Sequence, residues 1–214
     1  MRTLLLASLL ALIIPTTSQA LGLGLRLGYG KPGGDLGKNE PMSDYVSSSV
    51  PLQLDLMFAT SDKTAAGLYL GYANNTVGGD LKSLCDASGA SCTSNTVRLG
   101  IQFTGQLLDL GLVGLWGGVG TGFEALNVKI SGGGDKVEAQ YRGWEWATLS
   151  AGADLKLIPL INLGLYASYG FGQFNVASAK ATIGGVSSDQ AGSLDPNKAT
   201  HNMFQIGLRG MFSL

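Results

Sequence analysis

An all-β fold, an eight-stranded antiparallel up-and-down β-barrel that crosses a membrane, is predicted by three features of the sequence. The stretch from residue 202 to 214 alternates between two kinds of side chain. Its apolar row consists of Phe204, Ile206, Leu208, Phe212 and Leu214, and its other row carries Gln205 and Arg209. Seven further segments alternate in this way, and four long and three short connections join the eight in turn. Such strands place one row against lipid and the other in a lumen.

The third feature is an export signal at the N-terminus. Arg2 gives Met1 to Ala20 a positive start, Leu4 to Ile14 form an apolar run, and Ser18-Gln19-Ala20 has the small-x-small pattern of a cleavage site. The apolar run is too short for a membrane-spanning helix. We therefore expect residues 1–20 to be a signal peptide and residues 21–214 to form the barrel domain.

The composition agrees with a surface that faces lipid. Charged residues make up 14% of the chain, well below the roughly 25% of soluble domains. The 14 Lys and Arg nearly balance the 15 Asp and Glu, so the sequence offers no basic surface for nucleic acid. No pattern indicates a cofactor or a metal site.

The predicted strands cover residues 21–30, 50–59, 67–73, 97–103, 108–123, 147–157, 163–172 and 202–214. Short turns are expected at Thr60 to Thr64, near Gly105 and at Ile158 to Asn162, and long loops at about 31–49, 74–94, 124–143 and 175–201. Leu54 and Leu99 are predicted to face lipid, and Gln53 and Gln102 the lumen. The alternation is lost between Val113 and Val119, so we assign no faces to residues 113–123. Outer-membrane barrels have short turns on the periplasmic side, so both termini are expected there.

The chain resembles the small eight-stranded outer-membrane barrels of the OmpA and OmpX type. The resemblance covers 21–214 and rests on the alternation, the order of loops and turns, the first strand Leu-Gly-Leu-Gly-Leu-Arg-Leu-Gly-Tyr-Gly and an aromatic residue near the C-terminus. It implies insertion into the outer membrane of a Gram-negative envelope by the barrel assembly machinery. It also implies a terminal-strand assembly signal at Phe204, Phe212 and Leu214, although the family usually ends in Phe or Trp.

The lumen-facing row is predicted to carry seven charged side chains. An eight-stranded barrel is only wide enough for its own side chains, so these groups should pair with one another in a structural polar plug. A gated path for ions or small solutes is the alternative. The seven are Arg26, Arg98, Lys156 and Arg209 with Asp55, Asp109 and Asp154.

Cys85 and Cys92 lie in the second long loop. Two cysteines in an exported chain are expected to form a disulfide that cross-links this loop.

His201 is the only histidine and therefore bears on catalysis. Some eight-stranded barrels are lipid A acylases or deacylases that use a histidine with a nearby serine. His201 is followed by Asn202, Met203 and Phe204, without the His-x-Ser-Asn run of the deacylases, so we expect a solvated loop histidine and no enzyme.

Aromatic residues are predicted near both ends of the strands, where interfacial girdles occur. Ligand stacking is an alternative for the tryptophan pair. The outer set is Tyr29, Tyr72, Tyr141, Trp144 and Trp146, and the periplasmic set is Phe58, Phe103 and Phe212.

Three functions are compatible with these features. The first is a non-enzymatic outer-membrane barrel whose surface loops serve adhesion, envelope integrity or partner contacts. The second is a subunit of an envelope-spanning export or motility complex, and the third is a narrow channel. The expected partners are outer-membrane lipid, the assembly machinery and further envelope proteins.

Overall fold

Antiparallel strands account for most of the computed structural model, which describes residues 21–158 and 160–213. The predicted signal peptide, Pro159 and Leu214 lie outside the described residues. Within them, no helix has the length and apolar character needed to cross a bilayer. The strands are β1 Leu21–Gly37, β2 Glu40–Pro41, β3 Val46–Ser61, β4 Thr64–Val77, β5 Ser91–Asp109, β6 Val113–Gly132, β7 Asp135–Ile158, β8 Ile161–Ile183, β9 Val186–Ser193 and β10 Thr200–Ser213. A 3-10 helix, Met42–Asp44, precedes β3, and one α-helix, α1 (Gly79–Ser88), follows β4.

Eight of these strands close into a ring in the order β1, β3, β4, β5, β6, β7, β8, β10, with β10 paired to both β8 and β1. The predicted eight-stranded antiparallel barrel is therefore confirmed. Successive partners lead from Leu21 around the ring and back to β1 at Lys31, a stagger of ten residues. With eight strands, this stagger corresponds to a strand tilt of about 40°, inside the range of closed barrels.

The outside of the barrel is an apolar belt. Leu54 is 53% exposed and Leu99 57%, and large exposed apolar side chains occur on all eight barrel strands. Gln102, which alternation predicts to face the lumen, is buried. This arrangement reverses that of a soluble protein and fits a bilayer around the barrel.

Small inward residues make room for large ones in the narrow lumen. A Cβ added to Gly152 would lie 2.6 Å from Trp116 Cζ2. The glycine-rich inward rows therefore accommodate the aromatic rings that fill the interior.

The predicted turn near Gly105 is wrong. Gly105 pairs with Thr64 on β4 and with Gly117 on β6, so it lies within a strand, and β5 continues to Asp109. The chain reverses at Gly111, which has a φ of 78°, a left-handed conformation that glycine adopts without strain. Gly105 has no such conformation, so its sequence context alone suggested a turn there.

The four predicted long loops contain much regular structure. β6 and β7 continue through 124–143 and meet at Gly133-Gly134, while β8 and β9 form a second hairpin in 175–201. α1 lies in 74–94, and the end of β1, β2 and the 3-10 helix lie in 31–49. The polar residues of these segments pair across strands beyond the belt, so their polarity does not mark irregular structure.

Candidate functional site: the lumen network and the outer cap

We call the barrel end with Leu21, Ser213 and the three short turns the terminal end, and the opposite one the loop end. β6 runs from the terminal end to the loop end, and its inward residues along this path are Trp116, Glu124, Leu126 and Val128. The interior therefore consists of layers: charged and aromatic groups first, then an apolar layer.

The layer nearest the terminal end joins Arg209 to Asp154. Arg209 Nη1 donates to Asp154 Oδ2 at 2.7 Å, and Trp116 Nε1 donates to Asp154 Oδ1 at 3.0 Å. The guanidinium carbon of Arg209 lies 4.0 Å from the centre of the Trp116 ring, within cation–π range. Arg26 is the register neighbour of Arg209 and cannot neutralise it, so the carboxylate comes from β7, two strands away around the ring.

Arg26 lies in a second layer with its own carboxylate. Its Nε donates to Asp55 Oδ2 at 2.7 Å, and its Nη2 donates to Gln102 Oε1 at 2.9 Å. Gln102 Nε2 donates in turn to Asp55 Oδ1 at 2.8 Å, which closes a ring of three side chains. Gln53 Nε2 also donates to Asp55 Oδ1 at 2.8 Å. Both charges are buried and both are paired, as the cost of buried charge requires.

The third layer pairs Arg98 with Glu145. Arg98 Nε donates to Glu145 Oε2 at 2.8 Å, and its Nη2 contacts Oε1, a two-point contact typical of arginine and carboxylate. Tyr69 donates its hydroxyl proton to Glu145 Oε2 at 2.9 Å. Thr148 Oγ1 accepts from Arg98 Nη2 at 3.2 Å.

His201 lies in a fourth layer, and its expected position in a solvated loop is wrong. It is the second residue of β10, is 4% exposed and contacts Glu124 Oε1 through Nε2. Its ring stacks on Phe174 with 4.2 Å between centroids. Because β10 begins at Thr200, two residues earlier than expected, alternation continues through His201 and turns it inward.

Asp109 and Lys156 were predicted to belong to the polar plug, but they lie outside it. They pair with each other at 2.7 Å between Lys156 Nζ and Asp109 Oδ2, with side-chain exposures of 52% and 37% for Asp109 and Lys156. Because the hairpin turn follows Asp109 directly, these two residues lie at the open terminal end. The barrel interior contains the other five predicted charges, Arg26, Asp55, Arg98, Asp154 and Arg209.

Glu124 and Glu145 are buried charges that the alternation pattern did not predict. Glu124 follows the exposed Phe123, and Glu145 lies between the exposed Trp144 and Trp146. In each case, an exposed aromatic residue directly beside the acid in sequence indicates that the acid itself points into the barrel. With these two acids, the ion pairs inside the described barrel contain three arginines and four carboxylates, and the fourth carboxylate, Glu124, contacts His201.

An outer cap closes the loop end. We use this name for the buried cluster of Leu36, Met42, Val46, Leu81, Cys85, Leu126, Val128 and Phe174. The 3-10 helix and α1 supply Met42, Leu81 and Cys85, and the predicted Cys85–Cys92 disulfide, which is confirmed, ties α1 to β5. Beside the cap, burial and the nearby charge of Glu40 raise the pKa of Tyr45, so this tyrosine is neutral.

These layers leave little free volume. A cavity of about 10 Å³ lies between Arg26 and Arg98, and one of about 20 Å³ borders Glu124 and His201. Each has room for about one water molecule. The arrangement can therefore fix the barrel shape and hold single waters, whereas His201 is sealed from both solvent and lipid.

The comparisons with solved structures agree with this architecture. The crystal structure of a major outer membrane protein from Thermus thermophilus is similar over 92% of this chain and 100% of that chain, with 12% identity and a TM-score of 0.66. The fold is that of a small outer-membrane β-barrel. The chain thus has the fold of a transmembrane β-barrel, and its apolar belt is suited to lipid. At this identity, the likeness concerns the fold alone.

Two further outer-membrane barrels align less closely. OprG from Pseudomonas aeruginosa has 14% identity and a TM-score of 0.49 over 91% of this chain and 97% of its own. The protease OmpT from Escherichia coli has 7% identity and a TM-score of 0.49 over 93% and 98%. Both scores lie below 0.5, so only the first likeness supports the fold. No protein-family model matches the chain, and no curated protein does.

Proposed function

We propose that this outer-membrane barrel is a non-enzymatic surface scaffold whose loop end faces outward and contacts a partner. The observation that carries the proposal is the filled interior: four layers of paired or stacked groups and the outer cap occupy the lumen. A filled lumen offers neither a route for solutes nor an accessible histidine. The surface is then where function resides.

The surface that this leaves is a protruding sheet, formed by β6 to β9 beyond the belt. Its outer face carries a cross-strand row of alternating charge, in which Lys129 pairs with Glu138, Glu138 with Lys180 and Lys180 with Asp189. Opposite charges on directly paired positions stabilise a sheet. The sheet is therefore ordered well beyond the membrane and can present a fixed surface.

β9 forms the edge of the protruding sheet. All of its residues are exposed, and in the described part of the chain it pairs with β8 only. The unpaired N–H and C=O groups of such an edge can bind an extended segment of another protein. We therefore place the partner contact at β9.

Crosslinking in intact cells tests the proposal. A photo-crosslinking residue at Gln190 in β9 should form a discrete adduct with an envelope or surface partner, whereas one at Asp62, in the β3–β4 turn at the terminal end, should not. Both positions are exposed, so they are matched in access. Adducts from Asp62 alone would contradict the proposal and favour a subunit of an envelope-spanning complex.

The terminal-strand assembly signal remains a prediction. Phe204 and Phe212 lie on the outer face of β10 as part of the belt, and Leu214 lies outside the described residues.

A further inference from the structure

Two of the three short turns are apolar and exposed, although turns at this end are expected to lie in water. We call them the leucine turns and include the last strand residues before each: Leu107 of β5 with Leu110 and Leu112 of the β5–β6 turn, and Leu157 and Ile158 of β7 with Leu160 of the β7–β8 turn. Leu110 is 66% exposed and Leu112 75%. The third turn, between β3 and β4, has the polar sequence Thr-Ser-Asp-Lys-Thr at 60–64.

The leucine turns make the apolar belt uneven. At ~3.3 Å per residue and a tilt of about 40°, the exposed apolar row from Leu112 to Phe123 on β6 rises roughly 28 Å. The rows from Val50 to Phe58 on β3 and from Phe204 to Phe212 on β10 rise roughly 20 Å each. The row on β8, from Leu160 to Phe171, is as tall as that on β6. The belt is thus about 8 Å taller on the β5–β8 half.

The extra height lies at the terminal end. The upper limits of these rows, Val50, Phe123, Phe171 and Phe204, all stand at the loop-end border of the belt, where polar outer-face residues such as Asn127 and Asn202 follow on β6 and β10. The lower limits differ because the apolar row of β3 ends at the polar β3–β4 turn, whereas the apolar rows of β6 and β8 extend further toward the terminal end through the leucine turns. The lower border of the belt is therefore inclined.

The side chains of the leucine turns continue the lipid-facing rows. Leu107 follows Phe103 on the outer face of β5, and its Cδ1 lies 3.3 Å from the position of a Cβ on Gly117, an outer-face residue of β6. The charges of the same two hairpins, Asp109 and Lys156, pair with each other at 2.7 Å. The turns therefore present a continuous apolar surface, and their charges are neutralised.

We propose that the leucine turns are immersed in the acyl chains of the leaflet at the terminal end, and that the barrel is tilted or locally thickens this leaflet on its β5–β8 side. Lipid is the occupant that the structure favours, because the turns are continuous with a surface already in lipid. The apolar band of outer-membrane barrels is ~25 Å tall, between the two heights found here. If the barrel stood upright in a bilayer of uniform thickness, one half of its belt would be too tall for the hydrocarbon layer and the other half too short.

Spin-label accessibility tests this proposal on the full chain in phosphatidylcholine vesicles. Both native cysteines are in the disulfide, so Leu110→Cys and Asp62→Cys each offer one thiol for a nitroxide. The label at 110 should favour collisions with oxygen, which concentrates in lipid, over a water-soluble nickel complex. The label at 62 should favour the nickel complex, with the ratio differing at least several-fold.

Two outcomes would overturn the proposal. Equal nickel accessibility at 110 and 62 would place the leucine turns in water. Protection of 110 from both reagents, with dipolar broadening between labels, would mean that a second copy covers the turns. Because the measurement needs no surface partner, it is independent of the crosslinking at Gln190.

Discussion

Arg26→Met should destabilise the folded barrel by about 3–5 kcal/mol, because it leaves the buried carboxylate of Asp55 without its cation. Gln102 and Gln53 still donate to Asp55 Oδ1, but neutral donors do not replace the guanidinium. The loss is measurable as a lower urea midpoint for unfolding from vesicles, and as a lower temperature for the shift in gel mobility.

Two further variants isolate the cause. Arg26→Met with Asp55→Leu should recover most of the loss, because no charge then remains buried. Lys156→Met removes a cation from an exposed pair and should change stability by less than about 1 kcal/mol. Equal losses from Arg26→Met and Lys156→Met would contradict the layered interior.

Leu54→Arg should cost roughly 2–4 kcal/mol, since it places a basic side chain in the middle of the lipid-facing belt. Leu99→Arg, at the equivalent position on β5, should behave alike. Gln53→Ser, at the neighbouring lumen-facing position, removes one hydrogen bond to Asp55 and should cost about 1 kcal/mol. Urea titrations of folding into vesicles give these values, and similar costs at 53 and 54 would show that the faces are misassigned.

The strands could be predicted from the sequence because alternation is a local property. Leu21 to Gly30 places leucines outside and Gly24, Arg26 and Gly28 inside, and the structure agrees. The prediction failed where the alternation breaks. A bulge between Gln106 and Leu108 lets the β5–β6 pairing continue past Gly105, and no residue type in the sequence indicates this bulge. The turn was consequently misplaced.

The interior was only partly predictable because its pairs are remote in sequence. The charges of the plug were expected to pair with one another, and Arg26 contacts Asp55 while Arg209 contacts Asp154. The partner of Arg98, however, is Glu145, which was not among the predicted charges and lies beside a bulge in β7. Glu124 and His201 fell in segments interpreted as loops. The outer cap combines β1, β3, α1, β6 and β8, so its packing appears only once the barrel has closed.

The filled lumen is tested most directly by electrical recording of the purified protein in planar bilayers. The paired layers from Arg209 to His201 and the outer cap above them predict no discrete conductance steps, with heat-unfolded protein from the same preparation as the blank. Reproducible single-channel steps whose size rises with salt concentration would contradict a filled lumen and would make this barrel a channel.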